Sequence, residues 1–183
     1  MVGPSSTAGW FFSIVEAKSG STIRWAGARV TEEGTLEIEI ALCLPREAET
    51  VGIVRDVAVL SLMRLGVTEA CAEDIRIALS EACTNVVDHS EADDQYEVRL
   101  QVDGRRCEVR VIDTGRGFDV MSLSAVPVAA DSPRGRGISL MHALVDSINF
   151  TSQPEEGTIV HLVKTLDLVP GTPLDRLAPP AET

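Results

Sequence analysis

The sequence predicts an α+β fold, a two-layer sandwich in which a mixed, mostly antiparallel sheet carries helices on one face. Two long segments in the first half of the chain repeat apolar residues at the helical period. Segments in the second half alternate apolar and polar residues, which is the period of a half-buried strand. The predicted order is strand, helix, helix, hairpin, loop, helix, hairpin, and that order favours one antiparallel sheet with its helices on a single side.

Composition limits the class of protein. The chain has 183 residues, the size of one domain with tails. Hydrophobic residues make up 44% of it, which is enough for a core without disulfide or metal staples. Aromatic residues make up only 4%, so the core has to be built from Val, Ile, Leu and Ala. The formal net charge of −12 argues against a nucleic-acid partner and fits a protein that meets basic or neutral protein surfaces.

Cysteine usage and hydropathy predict a cytoplasmic protein without membrane contact. No cysteine belongs to a Cys-x-x-Cys pair or has a His at a zinc-ligand spacing, so all four are interpreted as small buried hydrophobic residues: Cys43, Cys71, Cys83 and Cys107. Met1 is followed by small residues and no basic segment, which does not resemble a signal peptide. The longest apolar run, residues 57–63, is far too short to span a bilayer.

The first half of the chain predicts a strand and two helices after an unassigned extension. Residues 1–33 are open to two interpretations, a disordered tail or an added strand. Residues 35–42 alternate as a half-buried strand. A helical pattern opens at Pro45 and ends near Gly66. Thr68 is the expected N-cap of a second helix.

The second half predicts two hairpins separated by a loop and a helix. Residues 96–102 and 107–113 alternate on either side of a tight Asp-Gly turn. A proline-containing loop follows, and residues 135–137 then open a helix. Residues 147–152 and 157–166 predict the two further strands.

The helix predicted over residues 74–89 is the centre of the candidate site. Its apolar stripe recurs at spacings of four, three and four, at Ile75, Leu79, Ala82 and Val86. Glu81, Asn85 and His89 form a second line along an adjacent face. Asn is disfavoured in a helix because its side chain competes for backbone hydrogen bonds. Taken alone the polar line predicts only a solvated helix edge, and His89 is interpreted as a packing or hydrogen-bonding residue at the helix end.

Two glycine-rich segments follow that helix in the chain. Residues 135–137 come directly before a predicted helix, where free N–H groups favour an anion, and Arg134 and Arg136 add positive charge there. Asp113 ends a strand just before residues 115–117, and its carboxylate is placed to accept a hydrogen bond from a base amine. Each cluster alone is weak evidence, because most glycine clusters are loops.

Together these segments resemble the motifs of the GHKL ATPase/kinase superfamily. Residues 81–89 resemble its N box, residues 113–118 its G1 box, residues 134–141 its G2 box, and residues 157–160 its terminal Gly-Thr strand. The four motifs occur in the family's order over roughly residues 36–166. The short distance between the G1 and G2 segments, and the absence of a phosphoacceptor-helix domain, are most similar to the anti-sigma-factor serine kinases of the RsbW type.

The resemblance implies a role for each matching residue. Asn85 is implied to coordinate Mg²⁺, for which a neutral oxygen is an apt ligand, and Glu81 to act as general base toward a protein serine. Arg134 or Arg136 is implied to neutralise charge on the γ-phosphate. The remaining implied contacts with ATP are made by Asp113 at the adenine amine, Gly115 and Gly117 beside the base, Gly135 and Gly137 around the phosphates, and Thr158 at the adenine end.

The resemblance also implies the domain division, the cofactors and the partners. An N-terminal extension over residues 1–33 precedes a GHKL-type ATP-binding kinase domain over 34–167, and a disordered tail over 168–183 follows. ATP and Mg²⁺ are the implied cofactors. The implied partners are a sigma factor of RNA polymerase, held inactive, and a small anti-anti-sigma protein of the STAS type that is phosphorylated on serine; family members are commonly homodimers.

Three alternatives to a serine kinase stay open on the sequence. The first is a non-catalytic module that holds or has lost ATP and acts by protein contacts, although Glu81 beside Asn85 argues against lost chemistry. The second is a detached histidine-kinase catalytic domain, which the compact region between the G1 and G2 segments disfavours. The third is a GHKL ATPase that drives conformational cycles, and this chain lacks the extra domains that such machines use.

Overall fold

The structure is a computed structural model and describes residues 15–16, 22–31, 34–88, 95–113, 133–153 and 157–177. A seven-stranded sheet and four helices make up the described part of the chain. In chain order the elements are β1 (Val15–Glu16), β2 (Thr22–Val30), β3 (Leu36–Pro45), α1 (Ala48–Leu65), α2 (Glu69–Asp88), β4 (Gln95–Asp103), β5 (Arg106–Asp113), α3 (Pro133–Leu144), β6 (Ser147–Gln153), β7 (Gly157–Thr165) and α4 (Pro173–Leu177).

The sheet confirms the predicted fold class. Its strand order is β1-β2-β3-β4-β5-β7-β6, and each of these neighbouring pairs is antiparallel. The three long helices cover one face, and the core lies between them and the alternating inward residues of the strands. The buried core is aliphatic, as the composition predicts, with Tyr96 as the largest of its fully buried side chains.

The sheet extends into the region that the sequence left unassigned. β2 pairs with β3 over nearly its whole length, from Thr22 opposite Cys43 to Val30 opposite Leu36, with a bulge between Ile23 and Trp25. Of the two interpretations of residues 1–33, an added strand is therefore the one that holds for residues 22–30. Residues 1–14 lie outside the described residues.

The helix boundaries agree with the capping signals except at two N-termini. Gly66 ends α1 at φ 98°, a left-handed conformation that favours glycine, and the N–H of Cys71 donates to Thr68 Oγ1 at 3.4 Å, as expected for an N-cap. Pro45, however, is the last residue of β3, and α1 begins only at Ala48.

The third helix also begins earlier than predicted. α3 starts at Pro133, so that the glycines at positions 135 and 137 lie inside its first two turns rather than before it. Pro is favoured at the first helical position because its fixed φ suits the helix and its missing N–H has no partner to lose. The sequence pattern favours a loop at Pro133, because the residues before it combine another proline with a run of small side chains.

The C-terminal tail, predicted to be disordered from residue 168, is packed over residues 168–177. Leu168 bridges Val67 in the turn between α1 and α2. Leu174, in the short helix α4, is fully buried. The prediction was wrong here because tertiary burial, and not local helix propensity, orders a segment this short. Residues 178–183 lie outside the described residues.

Candidate functional site

The central helix α2 presents one buried face and one polar line, as predicted. Its buried residues follow the helical period: Cys71, Ala72, Ile75, Ala78, Leu79, Ala82, Cys83 and Val86. Glu81 and Asn85 are half-buried and lie one turn apart beside that face. They are therefore accessible to a ligand while the helix backbone that carries them is fixed by the core.

Helix α3 touches the polar line of α2 at Gly137. This glycine is buried, and a Cβ built on it would lie 2.5 Å from Glu81 Oε2 and 3.5 Å from Glu81 Cδ. Only a residue without a side chain allows the two helices to approach this closely while the carboxylate keeps its position. The structure thus brings the predicted base and the predicted phosphate-binding segment together.

The ends of two strands align the residues assigned to the adenine. Asp113, the last residue of β5, is the register partner of Thr158 in β7. On its other side Asp113 is the register partner of Tyr96 in β4. Residues that are far apart in the chain are therefore neighbours on the same row of the sheet.

A buried contact joins this row to α1, and Cys83 of α2 lies close by. Tyr96 OH and Thr50 Oγ1 in α1 lie 2.9 Å apart. Burial raises the pKa of Tyr96, the nearby Cys83 of α2 raises it further, and the contact with Thr50 lowers it. Burial also raises the pKa of the Cys83 thiol, so both groups are neutral at pH 7.

The direction of α2 places the polar line at the same end of the sheet. Near its start, Cys71 Sγ lies 3.7 Å from the carbonyl oxygen of Thr165, at the far end of β7. Further along, Cys83 is close enough to influence Tyr96. α2 therefore runs antiparallel to β7, and Glu81 and Asn85 lie toward the strand ends that carry Asp113 and Thr158.

The structure does not describe every predicted site residue. Gly115, Gly117 and His89 lie outside the described residues. Asp113, Arg134, Gly135 and Thr158 are placed by their backbones alone, within β5, α3 and β7. The Arg136 side chain is exposed at the start of α3. The choice between Arg134 and Arg136 as the phosphate contact stays a prediction.

The oxygen-bearing side chains near α2 suit a metal ion that the protein binds through only one or two ligands. Within the described ranges there is no group of three or more His, Cys, Asp or Glu side chains placed to hold a metal ion. Mg²⁺ commonly takes one or two protein oxygens and completes its shell with phosphates and water. The side-chain oxygen of Asn85, half-buried beside Glu81, fits that mode of binding.

A cavity of about 310 Å³ lies beside the polar line, between the first turns of α1 and the last turns of α2. Its charged and polar lining includes Arg55, Thr84 and Asp88. None of the described site residues belongs to that lining.

Sequence reasoning missed Lys164, a half-buried cation that joins the two helices of the site. Lys164 in β7 donates from Nζ to Asp74 Oδ2 at 2.9 Å and to the carbonyl oxygen of Leu144 at 2.7 Å. The signal was present in the strand pattern, because Lys164 continues the inward alternation of Val160 and Leu162. A charged residue on the apolar face of a strand predicts a buried partner.

The family model that matches this chain describes the histidine kinase-like ATPase domain, and the match covers residues 44–164. The chain belongs to this family. Every described residue that the sequence assigned to the nucleotide site lies inside the matched part of this ATPase domain. The match ends before the packed C-terminal segment and begins after most of β3.

Curated relatives are similar over most of their length. Serine-protein kinase RsbW of Halalkalibacterium halodurans is 31% identical over 147 residues, which cover 75% of this chain and 87% of that protein. Serine-protein kinase RsbW of Bacillus velezensis is 35% identical over 139 residues, which cover 70% of this chain and 86% of that protein. Within its family, this ATPase domain is therefore of the RsbW type.

A solved structure shares the fold. The crystal structure of the RsbU and RsbW domains of Rv1364c from Mycobacterium tuberculosis matches with a TM-score of 0.55 and 23% identity, covering 70% of this chain and 32% of that longer chain.

No helix among the described residues of this ATPase domain combines the length and apolar character that crossing a bilayer requires.

Proposed function

We propose that this protein is an ATP-dependent protein serine kinase that also acts as an anti-sigma factor. The contact between Glu81 and Gly137 carries the proposal, because it brings the only carboxylate of the polar line against the glycine segment assigned to the phosphates. Membership of the RsbW-type kinases supports the same reaction. A pure scaffold would need no carboxylate at this point.

The residues present fit ATP and Mg²⁺. The first N–H groups of α3 have no intrahelical acceptor and lie at the positive end of the helix dipole, which favours phosphate. Asp113 and Thr158 are register partners in the β5–β7 ladder, and this proximity supports a shared role at the adenine end. Asn85 would hold Mg²⁺, which when bound neutralises phosphate charge.

The proposed transfer needs little covalent chemistry from the protein. Glu81 accepts the proton of a serine hydroxyl, and the serine oxygen forms a bond to the γ-phosphorus as the bond to the β-phosphate oxygen breaks. The products are phosphoserine and ADP. Arg134 or Arg136 offsets the charge on the transferred group. Glu81 is half-buried, so a docked serine can reach its carboxylate.

The partners and the setting are proposed by analogy with the RsbW type. One partner is a sigma factor, and the other is a STAS-type anti-anti-sigma protein that receives the phosphate. Homodimerisation is proposed as well, to be tested by sedimentation. The net charge of −12 suits basic protein surfaces. The four cysteines are free thiols, as in proteins of a reducing cytoplasm.

The first test is calorimetric titration of the protein with ATP, with and without Mg²⁺. We expect saturable, Mg²⁺-dependent binding, and Asn85→Ala should weaken it about tenfold or more, because the removed oxygen is a metal ligand. Thr84→Ala is the matched control, since Thr84 is the exposed neighbour of Asn85 in the same helix. Absence of binding at millimolar ATP would contradict a nucleotide site and leave a module that acts by protein contacts.

The second test follows phosphate from [γ-³²P]ATP to the small anti-anti-sigma proteins of the source organism, each expressed singly. Glu81→Gln should lower the rate of transfer about 100-fold or more, because the amide cannot act as a base. ATP affinity should be kept, because Gln has nearly the same size and shape as Glu. Glu73→Gln makes the same chemical change at an exposed position of the same helix and should leave transfer intact. Acid-stable phosphoserine supports a serine kinase, whereas acid-labile phosphohistidine would indicate a detached histidine-kinase domain.

A further inference from the structure

Lys164 connects the two helices that carry the proposed site. Its side chain is only 18% exposed and extends from the end of β7 toward the helical layer. Nζ donates to Asp74 Oδ2 in α2 at 2.9 Å and to the carbonyl oxygen of Leu144, the last residue of α3, at 2.7 Å. One ammonium group thus bonds two helices at once.

The surroundings of Lys164 favour its charged form. The carbonyl of Leu144 is among the last four of α3, which lack intrahelical donors and form the negative end of the helix dipole. The alkyl stem packs beside Ile75 and Leu162, where the remaining void is about 10 Å³. Burial lowers the pKa of Lys164, but the hydrogen bond and charge of Asp74 outweigh it, and the pKa lies above its ordinary value.

The same two helices meet again where the site lies. Asp74 and Leu144 are joined through Lys164, and Glu81 contacts Gly137. On each helix the two contact points are separated by about two turns, or about 10 Å. α2 and α3 therefore run antiparallel, with the Lys164 bridge at one end of the pair and the proposed base at the other.

We propose that Lys164 is a positioning residue for phosphoryl transfer, because it fixes the register of α3 along α2 and so the placement of Gly137 against Glu81. The inference rests on the proposed function. The apolar side chain of Met141 holds α3 on the core, but packed helices can slide by small amounts past one another. Two directional hydrogen bonds to one ammonium group resist such a slide.

The test compares Lys164→Met with the unaltered protein. Met keeps the unbranched stem and removes both hydrogen bonds. We expect kcat for transfer to the anti-anti-sigma protein to fall about tenfold or more, with KM for that protein unchanged, because a displacement of about 1 Å near the chemistry costs up to about 100-fold in rate. Lys164→Arg, which keeps the charge and the donors, should keep the rate near that of the unaltered protein.

Arg105→Met is the matched control. Arg105 pairs with Asp175 at 2.8 Å, and the two side chains are 27% and 26% exposed, so this change also removes a half-buried cation. The pair ties the β4–β5 turn to the C-terminal segment, whereas Lys164 joins α2 to α3. We expect a comparable fall in Tm and no fall in kcat.

A readout that needs no ATP separates the two claims. Amide hydrogen exchange over residues 138–144 should be faster in Lys164→Met than in Arg105→Met if Lys164 holds α3 in place. Equal exchange in the two variants, or equal kcat at equal folded fraction, would overturn the positioning role. If the unaltered protein failed to bind Mg-ATP, the proposed function would fall, while the exchange experiment would still decide whether Lys164 fixes α3.

Discussion

At position 137 the missing side chain sets how closely two helices approach. A Cβ at this position would contact the end of the Glu81 side chain, and its nearest contacts include no backbone atom. Gly137 has no positive φ, so space alone demands glycine at this point. An added methyl group would therefore move the carboxylate rather than break the fold.

Gly137→Ala should separate catalysis from stability. The flexible end of Glu81 would swing aside, so we expect transfer to fall about tenfold to 100-fold, while Tm stays equal or rises because Ala favours helices by up to about 1 kcal/mol over Gly. Gly52→Ala in α1 is the control, since the nearest atom to its added Cβ is an Arg55 nitrogen at 3.9 Å. Full transfer in Gly137→Ala would mean that the placement of the Glu81 carboxylate does not matter.

At the scale of elements, the segment after β7 fastens the turn between α1 and α2. The N–H of Thr68 donates to the carbonyl of Asp167 at 2.8 Å, and the N–H of Val169 donates to the carbonyl of Gly66 at 2.8 Å. Thr172 lies directly over Gly66, where a Cβ would overlap its side chain. The turn and the segment thus require each other.

Leu174→Ala should reveal how much the segment contributes to stability. Leu174 is fully buried, and removing a buried Leu side chain usually costs about 2–5 kcal/mol. Leu177 lies in the same short helix but is 38% exposed, so Leu177→Ala should change the free energy of unfolding by less than about 1 kcal/mol. Urea denaturation of both variants measures the difference. Equal effects would show that α4 is not packed as described.

How accurately the sequence predicts the boundaries of a helix differs from one helix to the next. Local signals found the ends of α1 and α2, because Gly66 and Thr68 act on the backbone beside them. The start of α3 was missed because the need for glycine at position 137 comes from Glu81, a residue of another helix. α4 was missed for the same physical reason, since its order comes from burial of Leu174 rather than from local propensity.

At the scale of the whole molecule, the two faces of the sheet differ in chemistry. The helix-covered face is apolar except at Lys164, whereas the opposite face carries ion pairs along neighbouring strands: Arg29 with Glu37, Arg99 with Glu97, and Arg106 and Arg110 with Glu108. Glu39 lies among them on β3. Burial raises its pKa, and the charge of Arg99 offsets this only in part.

Glu39→Gln should make the protein more stable at pH 7. A carboxyl group whose pKa is higher in the folded state contributes its stabilisation below the unfolded pKa, near 4.3, and loses it as pH rises through the folded pKa. We therefore expect Tm to rise by about 1–2 °C at pH 7 and not to change near pH 3. Thermal unfolding at both pH values measures this.

Glu47→Gln controls for the change in net charge. Glu47 is exposed at the N-terminus of α1, where a negative charge is favourable, so its loss should not raise Tm. If both variants raised Tm equally at pH 7, the smaller overall negative charge would explain the gain. The burial of the Glu39 carboxylate would then not be its cause.

The architecture was predictable from the sequence, but the assembly of the site was not. Alternation and element order predict one antiparallel sheet under helices, since the alternation within each strand shows which of its residues are buried. The alternation and the element order do not predict which residues of separate strands are paired. The pairing of Asp113 with Thr158 depends on the register of two strands that no hairpin joins, so turn geometry does not specify it.

The antiparallel pair of α2 and α3 has a consequence for how such proteins can diverge. The proposed adenine end rests on the β5–β7 ladder, and the proposed phosphate end rests on the two helices. Because these supports are separate, relatives can exchange residues of the ladder and so alter how the adenine base is held, while the placement of Gly137 against Glu81 stays the same.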